Sequence, residues 1–256
     1  MTVHKTNEAA DFERNWKRRF ERFAESHDDD AGIAGWSDSG LATRLRLFLK
    51  AWRDTPEARA AKSRWLDAGC GAGTYTRVLA ADGRSVVAVD YSMPTVVKAR
   101  QRVEGSAGAG WLTADVTKLP FASGSFDGAV CFGVMQALSS PNAALREFRR
   151  ILAPGGTLWV DALNARCLPS ALAEARRVKE GKAAHLRYDE PAAFKAALAQ
   201  SGFDSLQLHW APIVPGRWRS LQRLVETSMF SATLNAVPPL AARLSHSILL
   251  RARACP

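Results

Sequence analysis

The chain has 256 residues, of which 47% are hydrophobic and 23% are charged, and its formal net charge is +10. This composition is typical of a soluble globular enzyme whose core needs no metal or disulfide to hold it together. The four cysteines show no CxxC spacing, which favours reduced thiols in a cytoplasmic protein over a secreted scaffold or a metal site. No apolar run approaches the roughly 18 residues of a membrane span, and the N-terminus lacks the apolar stretch of a signal peptide.

The N-terminal part is predicted to form two helices around a polar loop. Aromatic side chains recur at three- and four-residue spacing over residues 11–26, which predicts an amphipathic helix. A glycine-containing loop is expected over 27–40, ordered by Ile33 and Trp36, and a second helix over 41–52. We expect these helices to close over a ligand site, with Trp36 acting either as a wall of that site or only as an anchor for the loop.

From residue 64 onward, short apolar runs alternate with helical segments. Strands separated by helices indicate a parallel sheet, and continuous apolar runs such as SVVAV and GAVCF indicate that both of its faces are covered. We therefore predict one doubly wound α/β domain over 1–256, with a helical cap at 1–60, a cofactor-binding core at 61–165 and a substrate-side lid with the last strands at 166–256. The predicted strands are 65–66, 85–89, 110–112, 128–132, 157–160, 204–210 and 245–252, and the predicted helices of this part are 74–81, 93–103, 140–152, 169–180 and 191–200.

A glycine-rich turn joins the first strand to the next helix in WLDAGCGAGTYT, residues 65–76. Asp67 lies near the strand end, and Gly69, Gly71 and Gly73 follow it. Glycines allow backbone angles and a close approach of a ligand that a Cβ atom would prevent. The G-x-G-x-G spacing departs from the G-x-G-x-x-G pattern of dinucleotide sites, which argues against a nicotinamide enzyme.

Two more carboxylates follow the next two predicted strands. Asp90 ends the strand SVVAV and is placed to accept hydrogen bonds from ribose hydroxyls, as in dinucleotide sites. Asp115 follows the third strand, where it can accept from an adenine amino group. Each of these residues, and Asp67, could instead cap a turn or a helix. Their occurrence at three consecutive strand ends favours a nucleoside-binding site.

These segments resemble the class I S-adenosylmethionine-dependent methyltransferases, in particular the small-molecule type of quinone biosynthesis. LDAGCGAGTYT and VVAVDYSMPTV are similar to the first two motifs, TADVTKLPFASGSFDGAVCFGVMQAL to the third and fourth strands, and ALREFRRILAPGGTLWV to the helix and turn before the fifth. The resemblance covers residues 40–165 well. It implies a Rossmann-like seven-stranded sheet, mostly parallel, with helices on both faces and an antiparallel last strand in SHSILLRARA.

The resemblance also implies that S-adenosylmethionine is the cofactor. Asp67 would brace the glycine loop, Asp90 would hold the ribose, and Asp115 with Val116 would bind the adenine edge. Phe132 and Gly133 would line the channel near the sulfonium. The complete set implied for the cofactor is Asp67, Gly69, Gly71, Gly73, Asp90, Tyr91, Ser92, Met93, Asp115, Val116, Phe132 and Gly133.

Catalytic candidates lie after the fifth strand, in KAAHLRYDEP. His185 ranks first because a histidine titrates near neutrality, and Tyr188 follows as a second proton acceptor. Both could instead be ordinary loop residues. Members of the resembled family often carry a histidine pair where this chain has Gln136 and Ala137, so no base is expected there.

Two polar residues at the end of WVDALN have two possible roles. Asp161 and Asn164 could orient a substrate hydroxyl, or they could satisfy backbone groups.

The C-terminal part is basic, with thirteen basic and six acidic side chains over 164–256. An insertion over about 215–243 places Arg217, Arg219 and Arg223 on or near one helix face. It could receive a phosphate or a lipid headgroup, or it could form a lid or a dimer contact.

The predicted function is methyl transfer to a small molecule, with O-methylation of a metabolite, glycan or natural-product intermediate as the leading hypothesis and an anionic or lipid-linked acceptor as a variant. N- or C-methylation on the same scaffold and a catalytically inactive cofactor-binding protein are the alternatives. No nucleic-acid partner is expected, because the fourth strand is followed by CFGV rather than an NPPY-type tetrapeptide and no recognition module is appended. Peripheral membrane contact and a homodimer are left open.

Overall fold

The computed structural model of the chain describes residues 2–59, 62–103, 109–182, 186–214 and 220–256. The helices are α1 (Thr2–Ser26), α2 (Asp30–Ile33), α3 (Asp38–Arg53), α4 (Pro56–Arg59), α5 (Thr74–Ala81), α6 (Met93–Arg102), α7 (Asn142–Ile151), α8 (Leu168–Lys179), α9 (Pro191–Gln200), α10 (Gln222–Val225), α11 (Ser228–Ala236) and α12 (Pro238–Leu244). The strands are β1 (Arg64–Ala68), β2 (Ser85–Asp90), β3 (Ala109–Thr113), β4 (Phe126–Cys131), β5 (Leu152–Leu163), β6 (Phe203–Ala211) and β7 (Ser247–Ala254).

The seven strands form one sheet in the order β3-β2-β1-β4-β5-β7-β6. β1 to β5 pair in parallel, and β7 inserts between β5 and β6 and runs antiparallel to both. The predicted fold class, including the antiparallel last strand, is therefore confirmed. The strand order reverses at β1 and β4, and a crevice opens beyond the carboxyl ends of the strands at such a reversal.

Both faces of the sheet are covered by helices, as the continuous apolar strands predict. Neighbouring residues of β1 point to opposite sides, so Leu66 joins the core that includes Phe148 of α7 and Phe194 of α9. Trp65 joins the core formed with Phe48 of α3 on the other side. Alternation along one strand thus ties together two helical layers.

The N-terminal part is more helical than its sequence pattern predicts. The predicted helix over 11–26 begins at Thr2, and the predicted loop over 27–40 contains the short helix α2. The side chain of Asp29 caps α2 by accepting the Gly32 N–H at 2.7 Å, a local interaction that hydrophobic periodicity does not report. No helix among the described residues is long and apolar enough to cross a membrane.

An aromatic cluster attaches α3 to the sheet. The ring of Phe48 lies 5.5 Å from Trp52, 5.6 Å from Tyr75, 5.4 Å from Phe132 and 5.3 Å from Trp159, centroid to centroid. Phe48 is fully buried, and its contacts with Tyr75, Phe132 and Trp159 are edge-to-face, a geometry that adds to the stabilisation from burial. The N-terminal helices are thereby held against strands that carry the functional site.

We expect Phe48→Ala to lower the free energy of unfolding by about 3–5 kcal/mol, because it opens a cavity under four aromatic rings. Urea unfolding followed by circular dichroism measures the loss. The control is Leu172→Ala, which truncates a side chain that is 64% exposed and should change the free energy by less than about 0.5 kcal/mol. Equal losses in the two variants would contradict the anchoring role of Phe48.

Candidate active site

A cavity lies at the carboxyl edge of the sheet, between the strand ends and the N-terminal helices. Eight of the twelve residues assigned to a cofactor by the family resemblance line it: Gly69, Gly71, Asp90, Tyr91, Asp115, Val116, Phe132 and Gly133. We call this space the first cavity. The strands bring these residues together because parallel neighbours end at the same edge.

The glycine loop after β1 folds back onto β2. The N–H groups of Gly69 and Cys70 both donate to the carbonyl oxygen of Val89, at 2.8 and 2.9 Å. Gly69 has a φ of 78°, and a Cβ atom there would lie 2.1 Å from a methyl carbon of Val134. A side chain at Gly69 is therefore excluded by both the backbone angle and the space.

Asp90 lies under the glycine loop with hydrogen-bonding capacity to spare. One of its carboxylate oxygens accepts the Gly71 N–H at 3.1 Å and the other accepts the Ser92 N–H at 3.0 Å. Burial raises the pKa of Asp90, although these backbone donors oppose the rise. A carboxylate can accept about four hydrogen bonds, so Asp90 can still receive ligand hydroxyls, as a ribose would supply.

Asp115 and Val116 form the next part of the wall. A single oxygen of Asp115, Oδ1, accepts both the Thr117 N–H at 2.8 Å and the Thr117 hydroxyl at 2.7 Å. Its Oδ2 atom receives no hydrogen bond from the described residues. An amino group of a ligand fits that oxygen, and the buried Val116 offers an apolar surface beside it.

Four residues of the predicted set do not line the first cavity. Asp67 lies behind the loop and accepts the Thr76 hydroxyl at 2.6 Å, and burial raises its pKa to about 7. Gly73 precedes α5, and Ser92 caps α6 by accepting the Thr95 N–H. Met93 is 65% exposed. These residues shape the loop and the helix starts, while the cavity-lining Thr95 is a residue that the sequence pattern did not single out.

Helix α1 closes one side of the first cavity. Trp16, Lys17 and Phe20 line it, and the Lys17 ammonium lies 4.7 Å from the centroid of the Tyr91 ring. Glu13 accepts the Ser139 N–H at 3.0 Å and the Ser139 hydroxyl at 2.6 Å. The amphipathic pattern predicted the helix, but only the fold shows which residues its aromatic face contacts.

Acidic residues that follow α1 connect the N-terminal helices to α5 and α6. Asp30 accepts the Thr74 hydroxyl at 2.7 Å and pairs with Arg77 and Arg102. Lys98 donates to Asp28 at 2.8 Å. We call these contacts the acidic latch, because they join the segment that connects α1 to α2 with α5 and α6.

A second cavity adjoins the first. Polar side chains of Arg44, Gln136 and His246 line it together with apolar residues such as Leu163. The two cavities share Trp16, Phe20, Ala34, Trp36 and Gly133. The indole of Trp36 lies against Gly133, where a Cβ atom would be 2.5 Å from it. Of the two roles considered for Trp36, the wall is the one found.

A buried ion pair stands behind this wall. Arg44 donates from Nε to Asp161 at 3.1 Å, and Asp161 also accepts the Gly133 N–H at 2.7 Å. Burial raises the pKa of Asp161, whereas Arg44 and the Gly133 N–H lower it. Asn164 donates to the carbonyls of Ala242 and Ser245, at 2.7 and 2.8 Å. Asp161 and Asn164 thus form hydrogen bonds with backbone groups of the protein, which was one of the two roles expected for them.

Of the two predicted catalytic residues, the structure describes Tyr188 but not His185. His185, together with Arg217 and Arg219 of the basic insertion, lies outside the described residues. Tyr188 is half-buried and interacts with the hydroxyl of Ser170, and burial raises the pKa of its phenol.

A histidine that the sequence pattern did not single out lies close to Tyr188. Ser170 Oγ is 2.9 Å from Nδ1 of His246, whose ring centroid is 6.5 Å from that of Tyr188. His246 lies in the second cavity, far along the chain from the other site residues.

This chain is similar to known methyltransferases. A family model described as "Methyltransferase domain" matches residues 66–160. A malonyl-[acyl-carrier protein] O-methyltransferase of Erwinia pyrifoliae is 33% identical over 178 residues, covering 68% of this chain and 66% of that protein. A ubiquinone biosynthesis O-methyltransferase of Xanthomonas oryzae pv. oryzae is 29% identical over 214 residues, covering 80% of this chain and 89% of that protein.

A solved structure shares the fold. Phosphoethanolamine N-methyltransferase 2 of Haemonchus contortus, in complex with S-adenosyl-L-methionine, superimposes with a TM-score of 0.61 at 17% identity, over 93% of this chain and 60% of that one. The chain spans 66% of the Erwinia relative and 46% of the demethylmenaquinone methyltransferases that it also matches.

We expect Asp30→Asn to loosen α1 and α2, because it removes the charge that pairs with Arg77 and Arg102 in the acidic latch. Hydrogen exchange followed by mass spectrometry should show amides of residues 11–36 exchanging roughly fivefold faster, which corresponds to about 1 kcal/mol for a partly exposed ion-pair network. Amides of the sheet should keep their rates.

The control for this substitution is Asp38→Asn, which removes a charge from a neighbouring exposed residue. Equal exchange in the two variants would show that the acidic latch does not hold the N-terminal helices.

Proposed function

We propose that this chain, whose residues 66–160 form a class I S-adenosylmethionine-dependent methyltransferase domain, transfers the methyl group of S-adenosylmethionine to a hydroxyl of a small molecule. The observation that carries the proposal is the pair of adjoining cavities at the carboxyl edge of the sheet, which share Trp36 and Gly133. One cavity suits a nucleoside and the other an acceptor. Adjoining cavities with common lining residues would hold the two bound molecules next to each other, as methyl transfer requires.

The first cavity is the proposed binding site of the methyl donor. Asp90 would accept the ribose hydroxyls, and Asp115 Oδ2 would accept the adenine amino group, because both carboxylates have unused acceptor capacity. The amino-acid part would lie on the loop that begins at Gly69. The sulfonium supplies an activated methyl group, so the protein mainly has to align the two reactants and exclude water.

The second cavity is the proposed acceptor site. Its lining combines apolar surface with a few polar groups, which is typical of small-molecule sites. Oε1 of Gln136 is buried and has no hydrogen-bond partner among the described residues. An orphaned buried acceptor costs free energy until a donor reaches it, and a ligand hydroxyl is such a donor.

Oxygen is the proposed acceptor atom for two reasons. Both the Erwinia and the Xanthomonas relatives are O-methyltransferases by name. The groups that line the second cavity include a neutral amide oxygen and an imidazole, which suit a hydroxyl donor. The side chain of Arg44 is already paired with Asp161, so the cavity does not present a free guanidinium to an anionic substrate.

We expect Asp90→Ala to weaken binding of S-adenosylhomocysteine by about 1–3 kcal/mol, the range for losing hydrogen bonds to a buried group. Isothermal titration calorimetry of the purified wild type and variant measures this difference. Asp54→Ala, which removes an exposed carboxylate at the end of α3, should bind as tightly as the wild type. Absence of binding by folded wild-type protein would refute the assignment of the methyl donor.

A further inference from the structure

His246 is fixed in the lining of the second cavity by its backbone. Its N–H donates to the carbonyl oxygen of Ala211 at 3.1 Å, and its carbonyl oxygen accepts the Asn164 N–H at 3.0 Å. These contacts hold it between the ends of β5 and β6, just before β7 begins. The residue therefore lies at the carboxyl edge of the sheet, in the lining of the second cavity.

The two ring nitrogens of His246 have different surroundings. Nδ1 lies 2.9 Å from Ser170 Oγ, and Ser170 in turn interacts with the phenol of Tyr188. Nε2 has no hydrogen-bond partner among the residues that the structure describes. A ring whose Nδ1–H donates to Ser170 carries a free lone pair on Nε2.

The electrostatic environment keeps the ring neutral. Burial, and to a smaller extent the positive charge of Arg44 on α3, lower the pKa of His246 to about 4. The charges near Tyr188 come from Glu174 and Arg177 of α8 and from Cys167, which directly precedes that helix. At neutral pH the imidazole is therefore unprotonated and has a lone pair to accept a proton. Because burial disfavours the imidazolium, a proton taken up by the ring has to be passed on.

We propose that His246 is the catalytic base of this protein and takes the proton from an acceptor hydroxyl bound in the second cavity. The inference rests on the proposed methyl transfer. As the acceptor oxygen forms its bond to the methyl carbon, the carbon–sulfur bond breaks and its electron pair stays on sulfur. The hydroxyl proton moves to Nε2 of His246. The products are a methyl ether, a neutral thioether and a protonated imidazole.

Ser170 and Tyr188 offer that proton a way out of the buried site. When Nε2 gains a proton, Nδ1 can pass its own proton to Ser170 Oγ, whose hydroxyl proton moves to the oxygen of Tyr188. Tyr188 is only half-buried and can release its proton to water. This leaves a neutral imidazole that carries its proton on Nε2. Once the product has left, loss of the Nε2 proton to water and return of a proton to Nδ1 along the same chain restore the starting tautomer. Ser170 and Tyr188 are positioning residues in this scheme.

The tautomer of His246 tests the proposal without any acceptor. Long-range ¹H–¹⁵N correlation spectra of the uniformly labelled protein with S-adenosylhomocysteine should show, at pH 7.5, one histidine with a protonated Nδ1 and an unprotonated Nε2. Loss of this signal in His246→Asn assigns it, and His209→Asn, which removes another buried histidine, should leave it unchanged. An Nε2–H tautomer or an imidazolium at that pH would overturn the proposal.

A pair of probe acceptors tests the chemical role. Catechol keeps its hydroxyl protons at neutral pH, whereas 4-nitrocatechol is already ionised and needs no base. With S-adenosylmethionine as donor, His246→Asn should lower kcat on catechol by roughly 100-fold or more, the usual range for a general base. Its kcat on 4-nitrocatechol should stay close to that of the wild type. Equal effects on both probes, or no effect on catechol, would overturn the role of His246 as base.

Ser170→Ala and Tyr188→Phe provide a second test, which remains valid even if the His246→Asn variant does not fold. Both should lower kcat on catechol with little change in KM, and Ser170→Ala should also shift the tautomer equilibrium of His246. Unchanged spectra and rates in both variants would overturn the relay. Failure of S-adenosylhomocysteine to bind the wild type would instead overturn the proposed function, and calorimetry detects that separately.

Discussion

The buried contact between Arg44 and Asp161 sets the position of nearly everything at the site. Asp161 lies near the carboxyl end of β5, where it accepts the Gly133 N–H at 2.7 Å and the Arg44 guanidinium at 3.1 Å. The same guanidinium lies 3.6 Å from the centroid of the Trp36 ring. One carboxylate therefore fixes the turn after β4, the helix α3 and the indole that stands between the two cavities.

This ion pair contributes more to position than to net stability. The side chains of Arg44 and Asp161 are only 7% and 2% exposed. The free energy needed to remove these charges from water therefore offsets much of their electrostatic attraction. Loss of either partner would leave an uncompensated buried charge, at a cost of about 3–5 kcal/mol. Because Trp36 stacks on Arg44 and Gly133 leaves room for the indole, the wall between the cavities has little freedom to move.

The sequence predicts the first cavity well and the second one poorly, and the reason is physical. Asp90 and Asp115 stand at the ends of apolar strands, and parallel strands end at one edge, so their meeting follows from a local pattern. Arg44 and His246 come from opposite ends of the chain and both line the second cavity, and His246 is placed there by β7, which inserts between β5 and β6. The residues around His246 in the sequence do not indicate this position, and His185 was the more obvious candidate for a catalytic base.

The charges of the two cavities suit a reaction that consumes a cation. Asp90, in the first cavity, and Asp67, behind it, are buried carboxylates with raised pKa values, and their mutual repulsion adds to the rise in Asp67. A cation bound nearby favours their ionised forms, whereas a neutral thioether does not. The second cavity holds a neutral imidazole and an arginine already neutralised by Asp161. Positive charge is thus stabilised where the donor would bind, and the proposed base in the second cavity is unprotonated before the reaction.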